Sequence, residues 1–306
     1  MEIPALCLRL PQLTLQSSPM TMQPCFPVTN LPATTTAVDA ITIHWREYLM
    51  ESVELCALMF SICLSGTLIY SKTSPLSAIP ESSKSFLMGG IVAGITLLII
   101  RSPFGRRTGA HLNPALTLTY FFLGCIHHWD TIFYILSQFA GAVVGVFLAL
   151  EVLGGRLSAP PVCYVITIPG RDGRAVAFLA EILLSSLVMG VILFTTNRVH
   201  FVNSAPFFVT LITFFYYGFC SSLSGFSVNP ARSFSSALFA SVWEGIWIYF
   251  LGPSFGMLAA ALIYIRVPGK HRVYCAKVFH DMKSPCPFRC DFMQLVGKNV
   301  VDDDLL

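Results

Sequence analysis

Two copies of the tripeptide Asn-Pro-Ala carry the clearest chemical signal in this sequence. Residues 109–115 read Gly-Ala-His-Leu-Asn-Pro-Ala, and residues 225–231 read Gly-Phe-Ser-Val-Asn-Pro-Ala. Asparagine followed by proline is typical of a helix start, because asparagine caps free N–H groups and proline fits the first turn. The positive end of the helix dipole lies at the same place. The sequence therefore predicts two helix starts, at Asn113 and Asn229, each with an amide donor and partial positive charge.

The composition around these two Asn-Pro-Ala tripeptides, called the boxes below, is that of a membrane protein. Of the 306 residues, 55% are hydrophobic and only 11% are charged, whereas soluble domains carry about 25% charged residues. The net charge of +3 is too small to indicate a nucleic-acid partner. The ten cysteines are scattered and imply no disulfide framework. A basic segment followed by a clean apolar run is missing at the N-terminus, so we predict no cleaved signal peptide.

Long apolar runs predict six helices that cross the membrane. A spanning helix needs about 20 residues to cross roughly 30 Å of hydrocarbon. The apolar segments after the two boxes, residues 115–125 and 232–240, are too short for this and predict half-helices. The six predicted spanning helices cover about residues 46–71, 85–101, 130–152, 175–196, 204–222 and 243–265.

The two halves of the chain repeat the same order of long, long, short and long segments. The repeats cover about residues 46–152 and 175–266, with three spans in each. An odd number of spans inverts the second half in the membrane, so the two short helices enter from opposite faces and meet near the midplane. We predict an all-α membrane protein with six transmembrane helices and two re-entrant half-helices in an inverted repeat.

Glycine pairs spaced four residues apart support this repeat. Such pairs let helices approach closely in lipid, and here they recur in the third and sixth predicted spans, with a further pair in the second. The pairs are Gly90 and Gly94, Gly141 and Gly145, and Gly252 and Gly256.

The segments outside the repeats differ in composition. Residues 1–45 are rich in Pro, Thr and Ser without helical periodicity, and we predict a mobile N-terminal extension. Residues 267–306 form a polar tail. Basic residues in short loops mark the cytoplasmic side, and the larger set lies on the side of the tail, which predicts that both termini are cytoplasmic. This set is Arg46, Arg101, Arg106, Arg107, Arg198, Arg266, Lys270, Arg272 and Lys277.

Further motifs accompany the boxes and point to one family. Glu51 and Glu181 lie near the starts of the first and fourth spans, and residues 229–234 read Asn-Pro-Ala-Arg-Ser-Phe. Gln138-xx-Gly141-Ala142 and residues 249–256 with Pro253 fit as well. Over about residues 46–266 the chain resembles the aquaporin and glycerol-facilitator family, the major intrinsic proteins. Two boxes in an inverted six-span repeat make this resemblance specific.

The resemblance implies a channel and not an enzyme, without a cofactor, in the cell membrane. The channel domain would be residues 46–266, with a pore through each subunit of a homotetramer and carbonyls of residues 109–112 and 225–228 along the pore. A water that accepts from both box amides can donate only to its neighbours, which interrupts a proton wire, and the helix dipoles repel cations. The box residues are Asn113, Pro114, Ala115, Asn229, Pro230 and Ala231.

The family's selectivity filter maps by ungapped spacing onto Ala93, Tyr217, Phe226 and Arg232, with Tyr216 as the alternative on the fifth span. Strict water channels usually have an aromatic residue and a histidine where this chain has alanine and tyrosine. Glycerol facilitators usually have an aspartate after the arginine, where this chain has a serine. We expect water to be the substrate, with small uncharged solutes such as glycerol as the alternative.

Three polar residues are predicted to brace the pore loops. A carboxylate inside a membrane span normally faces the bundle, so we expect Glu51 and Glu181 to accept N–H bonds from the loops, in preference to contacting solute. Glu54 competes with Glu51 for this role, and Glu51 is favoured by its counterpart in the second half. For His111 we predict a hydrogen bond that braces its loop.

The tail contains five residues of metal-ligating types, His271, Cys275, His280, Cys286 and Cys290. Their density suffices for a four-ligand zinc site. The resembled family does not require such a site, however, so we predict no metal and retain Cys275, His280, Cys286 and Cys290 as candidates.

Two other classes of membrane protein fit less well. A proton-coupled transporter needs a titratable relay within its spans, but the acids here lie near the starts of the first and fourth helices at repeat-related positions. A membrane enzyme needs a clustered nucleophile or acid–base pair, and the sequence shows none.

Overall fold

The structure is a computed structural model that describes residues 36–267, 273–281 and 283–303. Within these ranges the chain is helical, with loops and three short 3-10 turns at Pro75–Ala78, Cys163–Val165 and Val202–Ser204. The predictions for residues 1–35 and for His271 lie outside the described residues.

Eleven α-helices form the described part of the chain. Six of them, α1, α2, α5, α7, α8 and α10, are long and apolar enough to cross a membrane, as the sequence predicts. Two shorter helices, α4 and α9, follow the boxes. The helices are α1 (Ala37–Tyr70), α2 (Glu81–Arg101), α3 (Pro103–Thr108), α4 (Pro114–Phe122), α5 (His128–Leu153), α6 (Gly155–Ser158), α7 (Gly173–Thr196), α8 (Ala205–Ser224), α9 (Pro230–Ala240), α10 (Ile246–Arg266) and α11 (Phe292–Asp303).

The first helix begins nine residues earlier than the predicted start at residue 46. Thr36 and Asp39 form a capping box: the Thr36 hydroxyl accepts a hydrogen bond from the Asp39 N–H, and the Asp39 carboxylate accepts one from the Thr36 N–H. Two such bonds satisfy N–H groups that a helix start leaves free. Residues 37–45 therefore belong to α1 and not to an extension.

The early part of α1 is anchored to α5. His44 Nδ1 lies 2.7 Å from Asp130 Oδ1, and the Tyr48 hydroxyl donates to the same oxygen at 2.6 Å. All three side chains are buried. This polar contact explains why the helix continues beyond the apolar run on which the predicted boundary rested.

Two of the three predicted glycine pairs lie at close helix contacts. A Cβ atom added to Gly141 or Gly145 of α5 would lie 2.1 or 2.4 Å from a carbonyl oxygen of α1. Gly256 of α10 would meet a carbonyl oxygen of α7 at 2.3 Å. These contacts confirm that the third span of each half packs closely on the first.

The third pair, in α2, does not follow the prediction. A Cβ on Gly94 would meet nothing within 4 Å. Gly89 makes the close approach to α8 instead, since its Cβ would lie 2.7 Å from Tyr217 Cβ and 2.8 Å from the Phe214 carbonyl oxygen.

Candidate functional site

The two boxes meet at the centre of the bundle. Asn113 Oδ1 accepts from Ala115 N at 2.9 Å, and Asn229 Oδ1 accepts from Ala231 N at 3.0 Å, so each asparagine caps its short helix. Pro114 and Pro230 occupy the first turns of α4 and α9.

Each box asparagine also bonds the loop of the other half. Asn113 Nδ2 donates to the Val228 carbonyl oxygen at 2.7 Å, and Asn229 Nδ2 donates to the Leu112 carbonyl oxygen at 2.6 Å. A primary amide has two N–H groups, so one N–H of each asparagine is left after this bond. The two helix starts thus face each other with one donor apiece for a ligand.

The loops before the boxes share an unusual backbone. Ala110 and Leu112 have φ values of +49° and +55°, and Phe226 and Val228 have +48° and +54°. The left-handed region costs an L-residue about 1–2 kcal/mol, so four such residues need compensation from their surroundings. The same alternation in both loops reflects the repeat.

Buried glutamates supply this compensation. Glu51 of α1 accepts from the Leu112 N–H and from Gln138 Nε2. Glu181 of α7 accepts from Ser224 Oγ at 2.7 Å, Ser227 N at 3.0 Å and Val228 N at 2.7 Å. Both glutamates have no exposed surface. The carboxylates thus hold the N–H groups of the two loops toward α1 and α7.

Two further glutamates of α1 brace the first loop. Glu54 Oε2 accepts from Thr108 Oγ1 at 3.0 Å, and Glu47 Oε1 accepts from Arg107 Nε at 2.6 Å. Glu54 thus supports the segment just before the loop that Glu51 holds. Glu47 was not among the predicted bracing residues, although its spacing from Glu51 and Glu54 places all three on one side of a helix.

His111 lies at the tail side of the first loop. Its Nδ1 is 3.0 Å from Thr117 Oγ1, and its Nε2 is 2.7 Å from the Ala276 carbonyl oxygen. The ring stacks on Tyr120 and on Phe288. His111 therefore connects the loop both to α4 and to the tail.

A cavity runs past the two boxes. Its walls include Asn113, Asn229 and apolar side chains of α1, α2, α7 and α8. A second cavity lies between the ends of α1, α2 and α8. Tyr217 and Arg232 are the two residues that line both cavities, so the boundary between them lies at these side chains.

Three of the four predicted filter residues lie at this boundary. The rings of Tyr217 and Phe226 are 4.7 Å apart in an edge-to-face arrangement. Arg232 is 4% exposed, and its Nη1 has no hydrogen-bond partner among the described residues. Tyr216, the alternative to Tyr217, also contacts Phe226, at 5.9 Å, but does not line either cavity.

The fourth predicted filter residue, Ala93, is not on the cavity wall. It is 8% exposed, and the wall at this height of α2 is formed by Val92, followed by Thr96 and Ile100 at helical spacing. Adjacent helix positions differ by about 100° in direction. A one-residue difference in register therefore turns Ala93 away and Val92 inward.

The structure brings together the four tail candidates for metal binding. One ligand atom from each of Cys275, His280, Cys286 and Cys290 lies within 4.8 Å of the others. Burial raises the pKa of the Cys286 thiol to about 12, whereas hydrogen bonds from the other two thiols hold the pKa of Cys290 well below its usual range. No disulfide joins the described cysteines.

The chain is similar to known channel proteins over most of the described region. Aquaporin A from Dictyostelium discoideum is 30% identical over 192 residues, which are 60% of this chain and 67% of that protein. Aquaporin NIP2-2 from Zea mays is 30% identical over 226 residues, 72% of this chain and 70% of that protein. The aquaglyceroporin structure from Plasmodium falciparum shares the fold, with a TM-score of 0.59 at 19% identity over 73% of this chain and 96% of that one.

The family assignment follows from a longer match. Residues 38–264 match the family described as Major intrinsic protein, and this range contains both boxes, Tyr217, Phe226 and all six spans except for the ends of the first and the last. Proteins of this family are membrane channels, not enzymes. The chain therefore belongs to the major intrinsic protein family and is a multi-pass membrane protein.

Proposed function

We propose that this chain conducts water in single file through the cavity that passes Asn113 and Asn229, and that it excludes protons and ions. The observation that carries the proposal is the pair of box asparagines, each held by the opposite loop at 2.7 or 2.6 Å with one amide N–H to spare. A water oxygen that accepts from both amides must point its hydrogens along the pore in opposite directions. Proton transfer along the water chain is interrupted there.

The filter in this proposal consists of Val92, Tyr217, Phe226 and Arg232. Arg232 lines the same cavity as Tyr217 and Phe226, and its Nη1 is left for a solute oxygen. The charge repels cations, and the rings limit the width. Glu51 and Glu181 position the loops and do not contact the solute in this account, whereas His111 braces its loop and also lines the cavity.

The second candidate function is conduction of glycerol or another small uncharged solute. Its support is the apolar character of the cavity wall, where Val92, Tyr217 and Phe226 lie together with the charged Arg232. Such a wall suits a solute with a carbon face and a hydroxyl face. The Plasmodium falciparum structure is of an aquaglyceroporin, which agrees with this alternative.

Light scattering from proteoliposomes separates the two functions. For a water channel we expect osmotic shrinkage faster than that of empty vesicles, with glycerol entry at the rate of empty vesicles. A glycerol facilitator would also swell rapidly in an isotonic glycerol gradient. Both rates equal to those of empty vesicles would overturn the channel proposal.

The assembly and location are part of the same proposal. We infer a homotetramer in the cell membrane with both termini in the cytoplasm, because members of the family typically assemble so and because the basic loops lie on the tail side. Mass measurement of the detergent-solubilised protein tests the tetramer. Accessibility of N- and C-terminal epitope tags in intact and permeabilised cells tests the orientation, and a tag that is labelled in intact cells would contradict it.

A further inference from the structure

Four metal-ligating side chains converge in the tail, outside the pore. Their sequence order is Cys275, His280, Cys286 and Cys290, and loops connect them. Cys275 Sγ lies 3.5 Å from Cys286 Sγ, and His280 Nε2 lies 3.1 Å from Cys290 Sγ. Three residues are buried and the fourth is half-buried. Sulfur, sulfur, sulfur and imidazole nitrogen thus surround one point.

This ligand set matches one metal in particular. One common structural zinc site has three cysteines and one histidine in a tetrahedron, with Zn–S near 2.3 Å and Zn–N near 2.0–2.1 Å, so ligand atoms are about 3.5–3.8 Å apart. The S–S separation of 3.5 Å and the N–S separation of 3.1 Å each lie within about half an ångström of these edges. The widest separation of 4.8 Å is about one ångström longer, a difference that small side-chain shifts close.

A zinc ion at this point would crosslink the tail segment. Residues 273–281 and 283–291 have little regular structure, and their buried apolar side chains pack into the hydrophobic core of the channel. A structural metal contributes folding free energy to the segment that binds it, so zinc would help to hold the tail in its docked position. We propose that Cys275, His280, Cys286 and Cys290 bind one zinc ion, and that this zinc site holds residues 276–279 across the mouth of the pore.

The segment between the first two ligands bonds directly to the pore loop. Val278 N donates to the Gly109 carbonyl oxygen at 3.0 Å, and the Ala276 carbonyl oxygen accepts from His111 Nε2 at 2.7 Å. Gly109 begins the loop whose carbonyls lead to the first box. The tail therefore occupies polar groups that an open pore mouth would offer to water.

The same segment fits tightly against the loop. Lys277 is 1% exposed, and its Nζ donates to the carbonyl oxygens of Arg106 and Pro285. A Cβ added to Gly109 would lie 2.9 Å from the Phe288 ring and 3.1 Å from Lys277 Cγ. No space for a methyl group is left between the tail and this part of the loop.

The second half of the channel also holds the tail. Tyr274 N donates to Asn197 Oδ1, at the end of α7, at 2.8 Å. Arg289 N donates to the Cys125 carbonyl oxygen, beyond α4, at 3.0 Å. The tail thus bridges both halves around the pore mouth.

The position of Val278 is the observation on which closure of the pore rests. This side chain lines the same cavity as the two box asparagines and, with Ile100 and His111, forms its tail-side wall. With the tail docked, water must pass Val278 to leave the cavity on this side. This consequence rests on the proposed channel function, whereas zinc binding does not.

Elemental analysis of the purified full-length protein tests the metal site. We expect about one zinc ion per chain, lost in Cys286→Ser and retained in the matched control Cys220→Ser, since Cys220 lies in α8 away from the cluster. Thiol counting under denaturing conditions should find all ten cysteines free. Absence of zinc from the wild type, or two missing thiols with no zinc, would overturn the metal site and would indicate a disulfide in the second case.

Proteoliposome shrinkage with and without a zinc chelator tests closure. Chelation should raise the water permeability of the wild type about tenfold, the change that follows when a channel open a tenth of the time becomes fully open. Unchanged permeability in chelated wild type, with zinc shown to be removed, would overturn closure by the tail.

A docking variant separates zinc binding from closure. Lys277→Ala removes two buried bonds to the channel and to the tail but no metal ligand. It should keep its zinc and yet conduct like the chelated wild type, whereas Lys283→Ala, an exposed lysine of the same segment, should behave like the wild type. Wild-type permeability in Lys277→Ala would count against the role of docking. If the untreated protein contains zinc but the chelated protein still conducts no water, the channel proposal fails and the metal site stands.

Discussion

At the scale of single residues, Glu181 shows how a buried charge serves a pore that it does not touch. Its two oxygens accept three hydrogen bonds, two from loop N–H groups and one from Ser224. These bonds turn the N–H groups of residues 227 and 228 away from the cavity. Val228 then presents its carbonyl oxygen to Asn113. Glu51 does the same for Leu112 in the other half.

Replacing Glu181 by alanine should destabilise the protein strongly. Three buried donors lose their acceptor, and each costs about 1–3 kcal/mol when left unpaired. We expect a loss of roughly 3 kcal/mol or more, seen as a lower thermal midpoint of the detergent-solubilised protein. The control is Glu244→Ala, which removes an exposed carboxylate paired with Arg174 and should cost at most about 1 kcal/mol. Equal midpoints for the two variants would refute the bracing role.

Replacing Arg232 by valine should weaken exclusion without stopping flow. The variant lacks the cation at the boundary between the two cavities, and the shorter side chain widens it next to Tyr217 and Phe226. We expect faster glycerol entry and a measurable cation leak in proteoliposomes, with water permeability kept. Arg174→Val, at an exposed position, is the control. Selectivity identical to the wild type would remove Arg232 from the filter.

At the scale of helices, glycine determines which pairs approach closely. Gly141 and Gly145 bring α5 against α1, and Gly252 and Gly256 bring α10 against α7. In lipid there is little hydrophobic drive between helices, so close packing supplies much of the association. The glutamates that hold the loops lie on α1 and α7, which means that this packing also fixes their position.

Alanine substitutions at two glycines should separate the effect of helix packing on stability from the effect of helix propensity. In Gly141→Ala the new methyl group would lie 2.1 Å from the Ser52 carbonyl oxygen, so α1 and α5 must move apart. We expect a loss of about 1–3 kcal/mol, as for other overpacked sites. Gly190→Ala in α7 meets nothing within 4 Å and should be neutral or stabilising by up to about 1 kcal/mol, because alanine favours helix. Thermal unfolding in detergent measures both, and a stable Gly141→Ala variant would contradict the packing.

The sequence allowed prediction of the elements but not of all their rotations. Apolar length and the boxes locate the six spans and two short helices within a few residues, except for the start of α1. The prediction of Ala93 as a wall residue rested on ungapped residue counting, which does not determine the rotation of α2, and the structure has Val92 on the wall at this height. One residue of register changes which side chain faces the cavity.

Two other features show where sequence reasoning stops. The start of α1 was signalled by Thr36 and Asp39, a capping box that the Pro- and Thr-rich surroundings obscured. The tail is different, because its cysteines can be listed from the sequence while their distances to one another and to Gly109 depend on long-range packing. Nothing local in residues 273–291 indicates that Val278 reaches the cavity.

At the scale of the whole molecule, the inverted repeat places two positive helix ends at one point. The helices α4 and α9 begin at asparagines, and each asparagine donates a hydrogen bond to the loop of the other half. The polar groups of the two halves therefore meet at the centre of the bundle. The exterior of the bundle carries large exposed apolar side chains such as Leu98, Leu183 and Phe219, which suit contact with lipid. Polar chemistry is thereby confined to the centre and to the ends of the bundle.

The most direct test of this account measures water and proton flux in the same proteoliposomes, with a pH-sensitive dye inside, before and after zinc chelation. We predict that the chelated protein speeds osmotic shrinkage well above that of empty vesicles while an imposed pH gradient decays no faster than in empty vesicles. Shrinkage no faster than in empty vesicles, even after chelation, would contradict the assignment of the cavity as a water pore. Rapid loss of the pH gradient would contradict the role of Asn113 and Asn229 in interrupting the proton path.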